Sequence, residues 1–323
     1  MPLAFYLLPL GPMPRWIRSD TLAGAIIWSL ASMGEDVAGL VEDKNLRISS
    51  GFPFFNIEQK IMHFGPKPRL PISDTSELKG LRNRKEFKKA SFLEAGLLNK
   101  IIKGEIGIDY LWKKSDIEYK IIDELVIAKD LQSGLEKEGK IHFVGKKEIE
   151  RNEINRFSGK ASNFYHSYGY LYCNAGLYFL LEGSEKWKKA AVKAIRFLED
   201  RGIGGEISIG YGRFKFLHAE ESSPFEAPVD SDAIMTLSMY LPTQEEWKEA
   251  SSKESELFYT LVRRAGIRHD GALKREVLFL GEGSVIPIKS AIGREETLTE
   301  SPKSLAWGRP YYIGIHTKGL VQE

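Results

Sequence analysis

Apolar residues fill positions 3–10 almost without a break, and Gly11-Pro12-Met13-Pro14 stops the run. A first strand over 3–10 is predicted. The period then changes. Leu22, Ile26, Leu30 and Met33 share one helical face behind Ser19-Asp20-Thr21, a helix-start signal, and Gly34 supplies the stop. Arg47–Phe55 is a short apolar run containing Pro53. Proline cannot donate to a ladder, so a turn or edge strand is expected there rather than a central strand. Phe164–Tyr172 and Ala175–Leu181 are aromatic-rich runs around Cys173-Asn174 and read as a β-hairpin. Trp187, Ala191, Ile195 and Leu198 form the inner stripe of a helix that starts after Ser184. Lys186, Lys189, Lys193 and Arg196 form its solvated outer face. A glycine-rich stretch and a strand over 213–217 follow.

Residues 56–160 interrupt this regularity. Their periodicity is poor, Gly65-Pro66-Lys67-Pro68 marks a loop, and they hold 22 basic and 17 acidic residues against 24 and 27 elsewhere. They read as an insertion, partly ordered, with short hairpins or helices of its own. Without it the order is β-α-β-β-α-β, the split unit of ferredoxin-like folds. His218–Asp230 is polar, contains two prolines and marks a boundary. Beyond it Met235, Leu237, Met239 and Leu241 alternate with Thr236, Ser238 and Tyr240, the pattern of a half-buried strand. Thr243 and Glu246 form a capping box, and strands are expected at 257–262, 276–280 and 311–315. The expected fold is α+β: a ferredoxin-like (RRM-like) domain over 1–222 carrying the insertion at 56–160, then a degenerate copy over 228–323.

The length of 323 residues agrees with two domains. Lys and Arg number 46 against 44 Asp and Glu, so net charge selects no partner. The single cysteine, Cys173, rules out a disulfide within the chain and a cysteine-based zinc site. It is expected to be a small buried residue. No run approaches the roughly 18 apolar residues of a membrane span, and the first residues lack a basic leader. A cytoplasmic protein with no membrane partner is expected.

There is no P-loop, no nucleophile elbow and no H-E-x-x-H. The glycine stretch lies between a helix and a strand, the reverse of a dinucleotide fingerprint. The six histidines are scattered, so no metal and no cofactor is expected. His63, His142 or His166 meeting a Tyr or Lys would suffice for metal-free cleavage of RNA, which stays as an alternative.

The glycine stretch carries the most chemistry. Gly202, Gly204, Gly205, Gly210 and Gly212 bare backbone N–H groups that can cradle an anionic backbone. Ser208 adds a hydroxyl, Tyr211 an aromatic face and Arg213 a charge. Lys79–Lys89 holds six basic residues and one acidic residue. It is a solvated loop by itself, or a clamp on phosphates through Arg82, Arg84, Lys88 and Lys89. Arg156 lies beside Phe157 just before the hairpin.

Ser19-Asp20-Thr21-Leu22, Ser49-Ser50-Gly51-Phe52-Pro53-Phe54, Lys88-Lys89-Ala90-Ser91-Phe92, Asn155-Arg156 and above all Gly204-Gly205-x-x-Ser208-x-Gly210-Tyr211-Gly212-Arg213-Phe214 resemble the RAMP superfamily. Within it they resemble the Csm subunit that caps the crRNA 5′ end in type III-A CRISPR effector complexes. Met235-Thr236-Leu237-Ser238, Arg264-x-Gly266 and Glu282-Gly283-Ser284-Val285 are similar to that subunit's C-terminal half. The resemblance implies two ferredoxin-like domains, the insertion acting as a thumb, and no catalytic role. It also implies a subunit that holds the repeat-derived 5′ tag of crRNA, docks on the large polymerase/cyclase-like subunit and abuts a backbone RAMP subunit. Family loops often carry a basic residue where Glu206 and Ile207 stand, so backbone N–H groups and Arg213 would carry more of the contact. On this reading Ser19 and Thr21 at the helix start, the Ser49–Phe52 turn and the glycine loop grip the tag. Phe52 and Tyr211 either stack on unpaired bases or pack in the core, the latter at least as readily for Phe52. A mainly structural adaptor is a further alternative.

Overall fold

The computed structural model describes residues 1–317 apart from 14–15, 58–59, 75, 77, 132–143, 174, 253–255, 267–273 and 301–302. The chain opens with β1 (Leu3–Pro9), α1 (Ser19–Ser32), α2 (Ala38–Glu42), β2 (Arg47–Ile48), β3 (Phe52–Ile57) and β4 (Lys60–Pro66). It continues with α3 (Leu78–Lys89), β5 (Phe92–Glu94), α4 (Ala95–Ile102), α5 (Ile108–Lys113), β6 (Tyr119–Ile122), β7 (Leu125–Ala128), β8 (Val144–Ile154) and β9 (Ala161–Tyr172). Then come β10 (Gly176–Glu182), α6 (Glu185–Arg201) and β11 (Phe214–Glu221). The last third holds β12 (Ala233–Thr236), α7 (Gln244–Ser252), β13 (Leu261–Arg264), β14 (Val277–Leu280), β15 (Val285–Ile286), β16 (Glu295–Glu300), β17 (Lys303–Trp307) and β18 (Tyr312–Ile315). No helix among the described residues is long and apolar enough to cross a membrane.

One sheet runs β11-β1-β10-β3-β4-β5-β7-β6, with β2 also against β10. Its first four strands are antiparallel. Numbered within the β-α-β-β-α-β unit they lie fourth, first, third, second. One face carries Phe5, Leu7, Phe179 and Leu181 and is covered by α1 through Leu22, Ile26 and Leu30 and by α6 through Trp187, Ala191, Ile195 and Leu198. Phe5 and Phe179 stack with centroids 4.6 Å apart. The other face carries Tyr6, Phe52, Tyr178 and Leu180 and packs on Met235, Leu237, Ile313 and Ile315 of the last third, so both parts share one core.

Several expectations from the pattern are corrected. The Pro53 run is a central strand between β10 and β4. Pro53 faces Leu177 of β10, whereas pairing with β4 begins one residue later at Phe54–His63. The missing N–H therefore leaves no second strand unpaired at that position. The expected hairpin across Cys173 does not form. β9 pairs with β8 from Val144–Tyr172 to Ile154–Ala161, and the Cys173 thiol is exposed rather than buried.

Within 56–160, β4 to β7 extend the main sheet, Lys79–Lys89 lies in helix α3 rather than in a loop, and the upper limit falls in the β8–β9 turn. Residues 233–241 are buried throughout rather than on alternate positions, because β12 is wedged between β15, β18 and the main sheet. The capping box stands as expected. Thr243 N–H donates to Glu246 Oε2 (2.7 Å), and Glu246 N–H donates to Thr243 Oγ1 (3.2 Å).

Candidate nucleic-acid interface

The glycine loop joins α6 to β11. Gly202 caps the helix with φ 99° and an N–H to Leu198 O (2.6 Å). The two ends of the loop are pinned by Ile203 N–H to Gly212 O (3.0 Å) and Gly212 N–H to Pro12 O (2.8 Å). Gly212 has φ 70°, and a Cβ there would lie 2.0 Å from Ile203 O, so no other residue fits. Between the pins, φ is positive at Gly204 and Glu206 and negative at Gly205. Alternating handedness is the backbone pattern of an anion-binding nest, in which successive N–H groups can converge. The N–H groups of Gly204 to Ser208 have no backbone partner among the described residues. Gly205, Ser208 and Arg213 are exposed, and Gly204 and Gly210 are half-buried.

Tyr211 is 5% exposed, and its expected stacking on a base is corrected: it supports a two-stranded ribbon. Its hydroxyl shares a hydrogen bond with Ser167 Oγ (3.2 Å), its ring fills the space over Gly169, and the Arg151 guanidinium lies 5.5 Å from the ring centroid. A bridge between Met13 and Tyr170 adds a second anchor. The ribbon, β8 with β9, thus stands on the glycine loop. Beyond Ser167 its strands extend roughly 20 Å at about 3.4 Å per residue. The tip is exposed on both faces, with Phe157, Phe164, Tyr165 and Tyr168 open to solvent. Lys146 Nζ sits 3.9 Å from the Tyr168 centroid, and Arg156 lies in the tip turn. These aromatics were missed in the sequence because the run was assigned a buried hairpin partner. Phe164 and Tyr165 standing side by side, with no polar alternation, was the available signal.

The serines belong elsewhere. Ser19, Ser49, Ser50 and Phe52 are fully buried. The helix N-cap is Arg18, and Ser19 N–H donates to Ser50 Oγ (3.0 Å), which donates to Glu282 Oε1 (2.5 Å). Ser19 Oγ accepts from Met239 N–H (2.9 Å), Ser49 Oγ accepts from Leu180 N–H (2.8 Å), and Ser50 N–H donates to Leu237 O (2.9 Å). Arg264 donates to Asp20 Oδ2 (2.7 Å) and Thr21 Oγ1 (2.9 Å). The contacts with RNA expected of the side chains of Ser19, Ser49, Ser50 and Phe52 are corrected, and Thr21, half-buried, is held by Arg264. They weld the N-terminal sheet to the last third, and Phe52 packs at 6.0 Å from Tyr178. The motifs from the two ends of the sequence meet because they are each other's partners.

The basic helix α3 packs on α5, at the β5-β7-β6 end of the sheet, several strands from the glycine loop. Arg84 pairs with Asp74 (2.5 Å) and Arg82 with Glu86 (3.1 Å), while Lys88 and Lys89 are exposed. The fold does not bring this helix to the loop. Of the histidines considered for cleavage, His142 lies outside the described residues and His166 contacts Glu148 (3.1 Å) on the ribbon. His63 Nε2 meets Tyr6 Oη (2.8 Å), which also donates to Glu220 (3.1 Å). Burial pushes His63 down to about 4 and Tyr6 up to about 12. The Tyr6 phenol is fully buried, while His63 is half-buried and Glu220 is exposed at the end of β11.

The RAMP superfamily profile matches residues 15–215. The chain belongs to the RAMP superfamily. This RAMP chain is 25% identical over 308 residues to Csm4 of Mycobacterium tuberculosis, covering 92% of this chain and 89% of that one. It is 25% identical over 291 residues to Csm4 of Thermococcus onnurineus, covering 88% and 86%. Among solved structures, a Csm3–Csm4 subcomplex of the type III-A CRISPR-Cas interference complex matches with a TM-score of 0.71 and 18% identity over 98% of this RAMP chain and 100% of the other. A Csm1–Csm4 cassette in complex with pppApA matches with a TM-score of 0.60 and 20% identity over 98% of both. The resemblance read from the motifs is borne out.

Proposed function

We propose that this RAMP protein is a non-catalytic RNA-binding subunit of a type III-A CRISPR complex that holds the repeat-derived 5′ tag of crRNA. One observation carries the reading. Five consecutive amides without a backbone partner among the described residues lie in a loop pinned at both ends, at the foot of a ribbon with solvent-facing aromatics. Amides of alternating handedness suit a ribose-phosphate chain, and open aromatic rings suit unpaired bases. Arg213 and Arg156 add charge at the two ends of this surface. The likeness to Csm4 chains seen with Csm3 and with Csm1 supports docking on a large polymerase/cyclase-like subunit and on a backbone RAMP subunit. The fourth-first-third-second strand order supports a ferredoxin-like N-terminal domain. The β15-β12-β18 sheet with α7 is then a reduced second copy.

Gly205→Glu tests the loop cleanly, because a Cβ there meets no atom within 4 Å. It adds repulsion without disturbing packing. Arg213→Glu reverses an exposed charge. In salt-titrated filter binding of repeat RNA to the assembled complex, each is expected to weaken affinity on the order of tenfold, the scale of one charge-assisted contact. Unchanged affinity in both would sink the reading.

A further inference from the structure

Where β4 leaves the sheet, three charged groups gather at the join with the last third. Glu282 is buried and takes one ion pair, from Arg18. Its other oxygen accepts the Ser50 hydroxyl. The Arg69 backbone adjoins the same segment, its N–H donating to Gly283 O (2.8 Å). Burial lowers the Arg69 pKa from its ordinary value, Glu282 opposes that shift and Arg18 adds to it. Yet no hydrogen bond or ion pair engages the Arg69 guanidinium among the described residues, and its Nε is a buried donor without a partner.

Arg18 is one-fifth exposed and Arg69 half-buried, over a carboxylate that is 1% exposed. Among the described residues Glu282 forms an ion pair with Arg18 and none with Arg69, so two guanidinium groups share one carboxylate. Beside it Trp16 lies under Arg18, 4.9 Å from ring centroid to guanidinium carbon, and its Nε1 is a second buried donor without a partner. A desolvated, unpaired cation is costly unless an anion joins it. Leu10 N–H meets Arg213 O beside the glycine loop, and Arg18 follows eight positions later in the sequence.

We propose that Arg69, with Arg18, forms a second anion site that takes one phosphodiester of the bound RNA. This deepens the reading above and rests on it. The guanidinium plane matches two phosphate oxygens, which a point charge on a flexible stem does not.

The test uses the full chain, 3′-labelled repeat RNA and filter binding over a KCl series. Arg69→Gln is expected to weaken binding on the order of tenfold and to lower the slope of log affinity against log salt by about 0.7, the value for one phosphate on a single strand. The unfolding midpoint of the RNA-free protein should not fall, because a surplus charge has been removed. Arg69→Lys should recover part of the affinity. If Arg69→Gln leaves affinity and slope unchanged while Gly205→Glu weakens binding, this site is wrong and the loop reading survives. If Arg69→Gln lowers the RNA-free midpoint without changing the slope, Arg69 is structural and the proposal falls. Unchanged RNA binding with loss of a co-purifying subunit would instead assign Arg69 to a partner's carboxylate. No binding by the unsubstituted chain, alone or assembled, ends both readings.

Discussion

Partial burial of His63 gives this fold one source of acid sensitivity. His63 is held neutral by its burial, with a pKa lowered from 6.5 to about 4. An unfolded chain therefore binds a proton that the folded chain refuses between those values. Stability is intact above about pH 6.5 and falls as pH drops toward 4, by up to about 3 kcal/mol. Glu220 opposes the shift but does not cancel it. His63→Gln keeps a polar partner for Tyr6 and removes the titration. Urea midpoints at neutral pH and at about pH 5 should diverge in the parent and stay closer together in the variant. An equal acid loss in both would place the sensitivity elsewhere. At this scale the sequence was informative about some residues and silent about others. Thr243 and Glu246 announce their mutual bonds, because a capping box is local. The serines at 19, 49 and 50 look like surface hydroxyls, because their partners lie some 130 to 230 positions away, at Leu180, Leu237, Met239 and Glu282.

Elements with a face of their own were legible. The stripes of α1 and α6 name buried residues correctly except for Met33, the half-buried C-cap of α1; β1 falls where its apolar run places it, and β11 starts as expected but runs on to Glu221. Elements defined by a partner were not. β9 reads like any aromatic strand, and nothing in its composition distinguishes β8 from β10 as neighbour. Pro53 argues against a central strand unless the stagger of β4 is known. The ribbon yields a prediction at this scale. Its tip touches solvent on both faces, so replacing residues 152–164 by an Asn-Gly turn, closing on the Arg151–Tyr165 pair, should leave the thermal midpoint nearly unchanged. Affinity for single-stranded RNA should fall by roughly 1–3 kcal/mol for each base no longer stacked. A collapse of the midpoint would mean that the tip packs on the body.

Across the whole molecule, the two parts share one hydrophobic core. The face bearing Tyr6, Phe52 and Tyr178 has its cover in Met235, Leu237, Ile313 and Ile315, and Glu282 is the buried end of a chain of bonds that begins at Ser19. A fragment of residues 1–222 would expose that apolar face, and is expected to lack a cooperative transition and to bind a hydrophobic dye. Co-expression with 223–323 should restore both. A monomeric fragment with a sharp transition would show that the cover is dispensable. The turn after β9 has a practical consequence. Cys173 is the chain's sole thiol, it is open to solvent, and it sits at the foot of the ribbon. A maleimide fluorophore would attach there and nowhere else, giving an optical reporter of nucleic acid arriving between ribbon and loop without any engineered cysteine.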